Sequence, residues 1–218
     1  MPTQAVRFRS LRALQVAQRA CTRCADAGFI ARAHPVFSGG AGQHILLVGQ
    51  APGPVEHDQS RPFAGRAGRQ LMRWLVRGGF RDEDDVRDRI YMTAMTTCFP
   101  GRRPGGAGDR RPSAAEVALC APWLDAVIER VAPQLVIPIG SLAVERFLPG
   151  QRLDNVIGAA YSASGIPISG TPEVPPILVP LPHPSGQSRW LNDPARVALL
   201  DRAIATLREM IAWADPGA

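Results

Sequence analysis

The sequence predicts an α/β protein, a three-layer α/β/α sandwich around a central, mostly parallel four-stranded sheet. Short apolar runs of strand length alternate along the chain with longer amphipathic segments, which is typical of a parallel sheet with helices on both faces. The 218 residues are 45% hydrophobic, enough for a full core without disulfides. We therefore expect a single domain over residues 1-218, with an N-terminal helix and a cysteine-containing segment at 7-25.

The predicted elements follow a regular order. A helix is expected over 8–20, just before the first two cysteines. Four apolar runs are predicted as buried strands, at 44–48, 90–96, 135–139 and 177–181. Helices are predicted at 68–76, 113–131, 141–148 and from 194 onward, with a capping box at Ser113 and Glu116 and a helix start at Asp193-Pro194. Residues 150–176 are expected to be irregular, with short strands.

The basic charge of the chain favours a polyanionic partner. The formal net charge is +6, and every basic residue other than histidine is Arg. Arg pairs well with phosphate, which favours nucleic acid, although a bias toward Arg codons explains the missing Lys equally well. Residues 100–112 are dense in Gly, Pro and Arg, so this segment is predicted to be a positively charged loop.

The cysteines are expected to stay reduced. No apolar run approaches the ~20 residues needed to span a bilayer, and the two Arg of residues 1–10 precede no apolar segment, so we expect no membrane segment, no signal peptide and a cytoplasmic location. Cytosolic cysteines are metal ligands or free thiols more often than disulfides. The pair Cys21 and Cys24 with the distant Cys98 and Cys120 fits a cluster or a zinc site, zinc less well, and four buried free thiols are a third alternative.

Polar and glycine-rich motifs follow the predicted strands. In such sheets ligands bind past the carboxyl ends of the strands. The first strand runs into 49–53, Gly-Gln-Ala-Pro-Gly, a turn that lets backbone N–H groups approach a ligand, although a tight strand–helix connection is as good an explanation. Its spacing matches neither a dinucleotide fingerprint nor a Walker motif. The last strand ends at His183-Pro184-Ser185; a lone His there would more often be structural.

The segment after the glycine turn combines an aromatic residue with two cations. It reads Arg-Pro-Phe-Ala-Gly-Arg-Ala-Gly over 61–68, just before a predicted helix. Arg and Gly suit phosphate contacts, and Phe63 can stack on a base. Taken alone, Phe63 would more often be a core residue.

Together these motifs resemble the iron–sulfur uracil-DNA glycosylases, family 4 of the uracil-DNA glycosylase superfamily. Residues 49–53 and 61–68 resemble the family's first motif, 183–185 its last, and the four cysteines its cluster ligands. The resemblance implies a monofunctional enzyme that hydrolyses the N-glycosidic bond of uracil in single- or double-stranded DNA. It would release free uracil, leave an abasic site, act as a monomer, and hold a [4Fe–4S] cluster on Cys21, Cys24, Cys98 and Cys120.

The resemblance also implies roles for the motif residues. His183 is expected to donate a hydrogen bond to the developing uracil anion, and Gln50 to place the attacking water. Phe63 is expected to stack on the base, in a pocket that includes Gly49, Ala51, Pro52, Gly53 and Ala94. DNA contacts are expected from Arg61, Gly65, Arg66, Ser185, Gln187, Ser188 and Arg189.

Two positions depart from the family 4 pattern. The family has Glu where this chain has Gln50, and an amide can orient a water but cannot take its proton. A second carboxylate is therefore expected to assist, with the stretch Glu56-His57-Asp58 nearest, although a solvated loop explains that stretch equally well. The family has a uracil-reading Asn at the position of Ala94; the Ala is similar to family 5, whose members accept more bases, so strict uracil specificity is not expected.

Two further functions compete with the glycosylase. A non-catalytic or tight-binding protein for uracil or abasic DNA is favoured by Gln50 and by Ala51, where the family 1 motif has Asp. It is opposed by Phe63 and His183. A small redox carrier would have no need of Arg61, Arg66 and His183. The chain contains no Lys, which excludes a lyase acting through a Lys Schiff base.

Overall fold

A four-stranded parallel sheet forms the centre of the computed structural model, which describes residues 8–106, 108–172, 174–186 and 189–215. Its strands are β1 (Ile45–Gly49), β2 (Ile90–Ala94), β3 (Leu135–Pro138) and β4 (Ile177–Leu178). They are arranged in the order β2-β1-β3-β4, and each neighbouring pair is parallel. The predicted α/β/α sandwich with a four-stranded, mostly parallel sheet is therefore confirmed.

Helices precede, connect and follow the strands. In chain order they are α1 (Leu11–Arg19), α2 (Arg23–Asp26), α3 (Pro54–Gln59), α4 (Arg66–Arg77), α5 (Glu83–Arg89), α6 (Ala114–Val131), α7 (Gly140–Phe147), α8 (Leu153–Val156) and α9 (Pro194–Ala214). The predicted caps are present: Ser113 and Glu116 form the capping box of α6, and the Asp193 side chain accepts from the Ala195 N–H at the start of α9. No helix in the described residues is long and apolar enough to cross a membrane.

Two apolar layers cover the sheet, one on each face. Alternate side chains of a strand point to opposite faces. Ile45 and Leu47 of β1 pack in the layer that includes residues of α4, α5 and α9, whereas Leu46 and Val48 pack in the layer that includes residues of α1, α6 and α7. Because β1 is buried on both faces, it is a continuous apolar run.

The structure differs from the sequence prediction in four short helices and one strand. Helices α2, α3, α5 and α8 were not predicted, because segments of 4, 6, 7 and 4 residues are too short to show a helical period. The stretch Glu56-His57-Asp58, considered above as a solvated loop, lies in α3. The fourth strand was predicted as 177–181, but only Ile177–Leu178 forms regular pairs, and Leu181 makes an isolated parallel bridge to Ile139.

Candidate active site and candidate metal centre

The glycine turn after β1 lies at the carboxyl edge of the sheet. Gly49 is paired with the buried Ala94 of β2. Past the strand ends, the Met95 N–H donates to the Gly49 carbonyl (2.9 Å) and the Thr96 N–H donates to the Gln50 carbonyl (3.2 Å). These bonds fix the backbone of the turn, while Gln50 and Ala51 stay half-buried and Pro52 is buried. The sheet edge thus holds the turn in place while Gln50 remains partly exposed to solvent.

Phe63 packs on this turn, and two glycines make its position possible. A Cβ at residue 49 would lie 2.9 Å from the Phe63 ring, and a Cβ at residue 68 would collide with the Phe63 carbonyl. Phe63 has a φ of 54°, in the left-handed region that a bulky residue rarely adopts. The structure therefore brings Phe63 against Gly49 and holds it in a strained backbone conformation, which is common at functional sites.

Glu56 joins the two halves of the motif. Its Oε2 accepts from the Gly53 N–H (3.0 Å) and its Oε1 accepts from the Gly65 N–H (2.8 Å). Both carboxylate oxygens are therefore used to hold the turn and the Phe63 segment together. The neighbouring His57 ring lies 4.8 Å from the His34 ring, and Asp58 is exposed. In this structure the Glu56 carboxylate positions these two segments; the water-assisting role considered for it above stays an untested expectation.

His183 lies opposite the start of α7, with its proton location fixed by the backbone. A Cβ at Gly140, which has a φ of 77°, would lie 3.3 Å from the His183 Cβ. The Ser185 N–H donates to His183 Nδ1 (3.2 Å), and the Ser185 hydroxyl lies 2.9 Å from the same nitrogen. Because Nδ1 accepts, the neutral ring carries its proton on Nε2. Burial lowers the pKa of His183 below its usual value, which favours this neutral form.

The basic loop predicted at 100–112 reaches the same turn. Its ends are held by Arg110, whose guanidinium forms two bonds to the buried Glu116 (2.6 and 2.7 Å) and two to the Pro100 carbonyl (2.7 and 3.1 Å). This pairing lowers the pKa of Glu116 to about 2. Asp109, adjacent to Arg110, places its Oδ2 3.3 Å from where a Cβ of Gly53 would lie. A carboxylate thus approaches the glycine turn from a loop distant in sequence.

The residues predicted to contact DNA lie in different environments. Arg61 is about half exposed and pairs with Glu83 (3.1 Å), and Arg66 is exposed at the first position of α4. The N–H of Gly65 is occupied by Glu56, and Ser185 is engaged with His183. Gln187 and Ser188 lie outside the described residues, as does the side chain of Arg189, whose backbone begins a 3₁₀ turn.

The four cysteines line one cavity. Cys21 precedes α2, Cys24 lies in α2, Cys98 follows β2 and Cys120 lies in α6. The remaining wall combines the apolar Ile30, Ala33 and Leu119 with four polar residues, Arg23, Thr96, Thr97 and Glu116. Burial raises the pKa of Cys24 to about 11 and that of Cys98 to about 12, so without a bound cation these groups stay thiols.

Hydrogen-bond donors surround the sulfur atoms of this cavity. Trp123 Nε1–H donates to Cys21 Sγ (3.1 Å), and the Thr97 hydroxyl lies 3.8 Å from Cys120 Sγ. Thr96 also lines the cavity, and its buried hydroxyl has no hydrogen-bond partner among the described residues. Among all the residues that the structure describes, no three His, Cys, Asp or Glu side chains converge on a point suited to a single metal ion. A four-iron cluster takes one thiolate per iron, so its ligands need not converge in that way.

The family model of the uracil DNA glycosylase superfamily matches residues 37–208. This segment includes the whole sheet, the glycine turn, Phe63 and His183. The chain belongs to the uracil-DNA glycosylase superfamily. The resemblance inferred from the motifs is thereby confirmed.

Curated members of the superfamily include relatives of both types suggested by the motifs. The type-4 uracil-DNA glycosylase of Thermotoga maritima is 32% identical over 118 residues, 54% of this chain and 56% of that protein. The type-4 enzyme of Pyrobaculum aerophilum is 30% identical over 122 residues, 54% and 57% of the two chains. The type-5 enzyme of the same organism is 30% identical over 129 residues, 55% of this chain and 51% of that protein. The chain therefore aligns with little more than half the length of these relatives.

Three residues contribute to the candidate site in ways that the sequence did not reveal: Glu56, Asp109 and Arg87, whose Nη1 donates to the Pro62 carbonyl (3.1 Å) directly before Phe63. Gly53-Pro54 followed by Glu56 is a capping pattern, so the Glu56 bond to Gly53 could have been found. Its second bond, to Gly65, and the contacts of Arg87 and Asp109 depend on how distant segments pack, and no local signal marks them.

Proposed function

We propose that this protein is a monofunctional DNA glycosylase that hydrolyses the N-glycosidic bond of uracil in DNA and leaves an abasic site. The observation that carries the proposal is the Ser185 N–H bond to His183 Nδ1, which leaves an Nε2–H donor on a half-buried, neutral imidazole. The superfamily match and the packing of Phe63 on Gly49 support it. A single domain, a monomeric state and action on chromosomal DNA in the cytoplasm are part of the same proposal.

The proposed reaction uses the sheet edge as a pocket for an extruded base. Uracil leaves the DNA stack and lies against Phe63, with the backbone of 49–53 beside it. The bond between the sugar C1′ and the base breaks with its electron pair going to uracil. The Nε2–H of His183 donates to the developing negative charge at uracil O2, in the manner of an oxyanion hole. A neutral donor suits this role because it stabilises the anion without a strong acid.

We propose that Gln50 holds the attacking water and that Ala94 widens the range of bases. The Gln50 amide can orient a water molecule but cannot accept its proton. Ala94 has no polar side-chain group beside the turn, so base discrimination has to come from backbone groups or other residues. We expect activity on hypoxanthine or xanthine as well as on uracil.

DNA binding is proposed to use exposed cations near the turn. Arg66 is exposed, and Arg61 would exchange its half-exposed Glu83 partner for a phosphate at little cost, since exposed ion pairs contribute only about 0–1 kcal/mol. The net charge of +6 favours a polyanion, and binding should weaken as salt concentration rises. Gly65, Ser185, Gln187, Ser188 and Arg189 complete the proposed contact set.

We propose that Cys21, Cys24, Cys98 and Cys120 hold a [4Fe–4S] cluster. The unpartnered Thr96 hydroxyl is a donor that a cluster sulfide would satisfy, and Trp123 already donates to one of the ligand sulfurs. Its proposed role is structural. Iron and sulfide analysis of anaerobically purified protein should give about four of each per chain, with a broad visible absorbance band; stoichiometric zinc without iron would overturn the assignment.

Single-turnover excision assays test the glycosylase itself. Uracil, hypoxanthine and xanthine are placed in single- and double-stranded oligonucleotides, and abasic sites are detected by alkaline cleavage. We expect abasic sites from wild-type protein and none above background from an inactive variant. The alternative, a non-catalytic binder favoured by Gln50 and Ala51, would shift the mobility of the DNA but produce no abasic site.

A further inference from the structure

Asp109 is a carboxylate at the glycine turn with no assigned role. We infer that Asp109 is the catalytic carboxylate that accepts the proton of the attacking water, replacing the acidic residue absent at Gln50. This inference rests on the proposed glycosylase function and specifies one step of it. Its starting point is that Asp109 Oδ2 would lie 3.3 Å from a Cβ of Gly53, in the motif that also contains Gln50.

The other acidic groups of the motif are less suited to this step. Both oxygens of Glu56 accept backbone N–H groups, at 3.0 and 2.8 Å, and protonating Glu56 would weaken the link between the turn and the Phe63 segment. Asp58 lies near the end of α3; it is exposed, as Asp109 is, but Asp109 and not Asp58 is among the groups nearest to Gly53. Asp109, by contrast, has no ion pair or side-chain hydrogen bond within the described residues, so its oxygens can bind water.

The base of the loop holds Asp109 in a defined place. Asp109 pairs with Arg102 in an antiparallel bridge, and the neighbouring Arg110 N–H donates to the Gly101 carbonyl (2.9 Å). The Arg110 side chain is anchored on the buried Glu116 of α6, the helix that also carries Cys120. Asp109 therefore sits where the loop is tied to the fold, and the proposed cluster and the proposed base are connected through α6.

The proposed hydrolysis requires one water molecule, the Asp109 carboxylate and the His183 donor. The C1′–N bond breaks, and its electron pair leaves with uracil, whose O2 accepts the hydrogen bond from His183. The water oxygen forms the new bond to C1′, and one water proton moves to the Asp109 carboxylate. That proton then returns to solvent or to the released uracil anion, which regenerates the carboxylate.

Single-turnover excision from a uracil-containing single strand, together with the DNA dissociation constant, tests the assignment. Asp109→Asn keeps the size of the side chain and removes the proton acceptor, so we expect a rate about 10²-fold lower with DNA affinity within about twofold of wild type. Asp109→Ala should be partly restored by added formate, a small carboxylate that can enter the vacated space. Asp201→Asn, a surface carboxylate of α9 paired with Arg77, controls for the change in net charge.

The outcomes separate this assignment from the glycosylase proposal. If wild-type protein is active and Asp109→Asn excises uracil at a rate within threefold of it, the Asp109 assignment is overturned but the glycosylase proposal stands. The same holds if the excision rate falls in Asp58→Asn and not in Asp109→Asn. A rate loss matched by an equal loss of DNA affinity, without formate rescue, would show a loop-positioning role and also overturn it. Wild-type protein that binds uracil DNA but never excises would overturn the proposed function, and the assignment with it.

Discussion

His183 shows how one backbone hydrogen bond selects the chemistry of a side chain. An imidazole in solution exchanges its proton between two nitrogens, but the Ser185 N–H requires Nδ1 to be an acceptor. The proton is then on Nε2, the nitrogen that can serve a ligand. Burial lowers the pKa, so the neutral tautomer is retained at and somewhat below neutral pH.

Replacing His183 should affect chemistry far more than folding. His183→Ala is expected to lower the single-turnover excision rate by about 10²- to 10³-fold, the usual effect of removing one oxyanion donor. Ser185→Ala is the matched control, since it removes the hydroxyl and keeps the backbone N–H that sets the tautomer, and should cost much less. Near-normal excision by His183→Ala, in a variant with an unchanged circular dichroism spectrum, would exclude His183 from the site.

Asp85 of α5 gives a pH-dependent contribution to stability. It is buried, and hydrogen bonds from Arg81, with the charge of Arg89 nearby, lower the pKa of its carboxyl below 3.8. A lowered folded-state pKa means stabilisation that is complete above 3.8 and is lost as pH falls below that value. Asp85→Asn should therefore lower the free energy of unfolding by about 2 kcal/mol at pH 7, and the difference should shrink below pH 3.8.

Urea unfolding at pH 7 and at pH 3 measures this effect. Asp84→Asn is the control, because Asp84 is the exposed neighbour in the same helix turn and the substitution changes the same charge. Equal destabilisation by the two variants, or a difference that does not depend on pH, would contradict the role given to Asp85.

The sequence predicts the contacts of individual residues well where those contacts involve neighbouring positions in the chain. The Ser113 and Glu116 capping box and the Asp193 cap are present because they depend on neighbours three or fewer positions away. The motif pairing of Phe63 with Gly49 was reached only through the family resemblance. Asp109 could not be assigned, because nothing local places an exposed loop carboxylate beside a turn formed by a distant segment.

At the scale of elements, the short polar helix α5 supports the Phe63 segment. Arg87, 14% exposed, donates from Nη1 to the Pro62 carbonyl (3.1 Å) and from Nε to Glu83 (2.9 Å). Glu83 also accepts from Arg61, so α5 holds the segment at two points directly before Phe63. Because Phe63 adopts a φ of 54°, neighbouring contacts have to maintain that conformation.

Removing the Arg87 contact should weaken base capture. Arg87→Met keeps the apolar stem and loses both hydrogen bonds. We expect a KM for uracil DNA raised about tenfold, with kcat changed less, because the proposed stacking of Phe63 on the base precedes bond cleavage. Arg87→Lys should recover part of this loss. Arg77→Met is the control, since the Arg77 side chain is 55% exposed and its partner Asp201 is exposed as well; an equal effect of Arg77→Met would attribute the loss to charge alone.

Strands and long helices were predictable because their patterns extend over several turns or alternations. The buried parallel strands β1 and β3 are continuous apolar runs, and α6 and α9 are long. Helix α5 was missed because its sequence, Glu-Asp-Asp-Val-Arg-Asp-Arg, has one apolar residue and shows no period. Its position is fixed by tertiary ion pairs.

At the scale of the whole molecule, the proposed cluster lies toward one of the two apolar layers. Cys21 and Cys120 pack in or against the layer that contains Leu14 of α1 and Trp123 of α6, whereas α4 and α9 belong to the layer on the other face of the sheet. The cysteine ligands come from three segments that adjoin on this face of the sheet: the α1–α2 region, the stretch after β2, and α6. A cluster would therefore stabilise this side of the fold preferentially.

Loss of the cluster should consequently loosen one side of the molecule and leave the other intact. Cys24→Ser, with oxidative loss of the iron, is expected to raise amide hydrogen exchange in α1, α2 and the 100–112 loop, since regions with few buried contacts open first. Exchange in β1, α4 and α9 should stay within about twofold of the holoprotein, because their layer is complete without the cysteines. Hydrogen–deuterium exchange measured by mass spectrometry on the two proteins resolves these segments. Uniformly increased exchange in all segments would mean that the cluster supports the whole sheet. Unchanged exchange in α1 and α2 would mean that the cluster does not stabilise the side of the fold that contains its ligands.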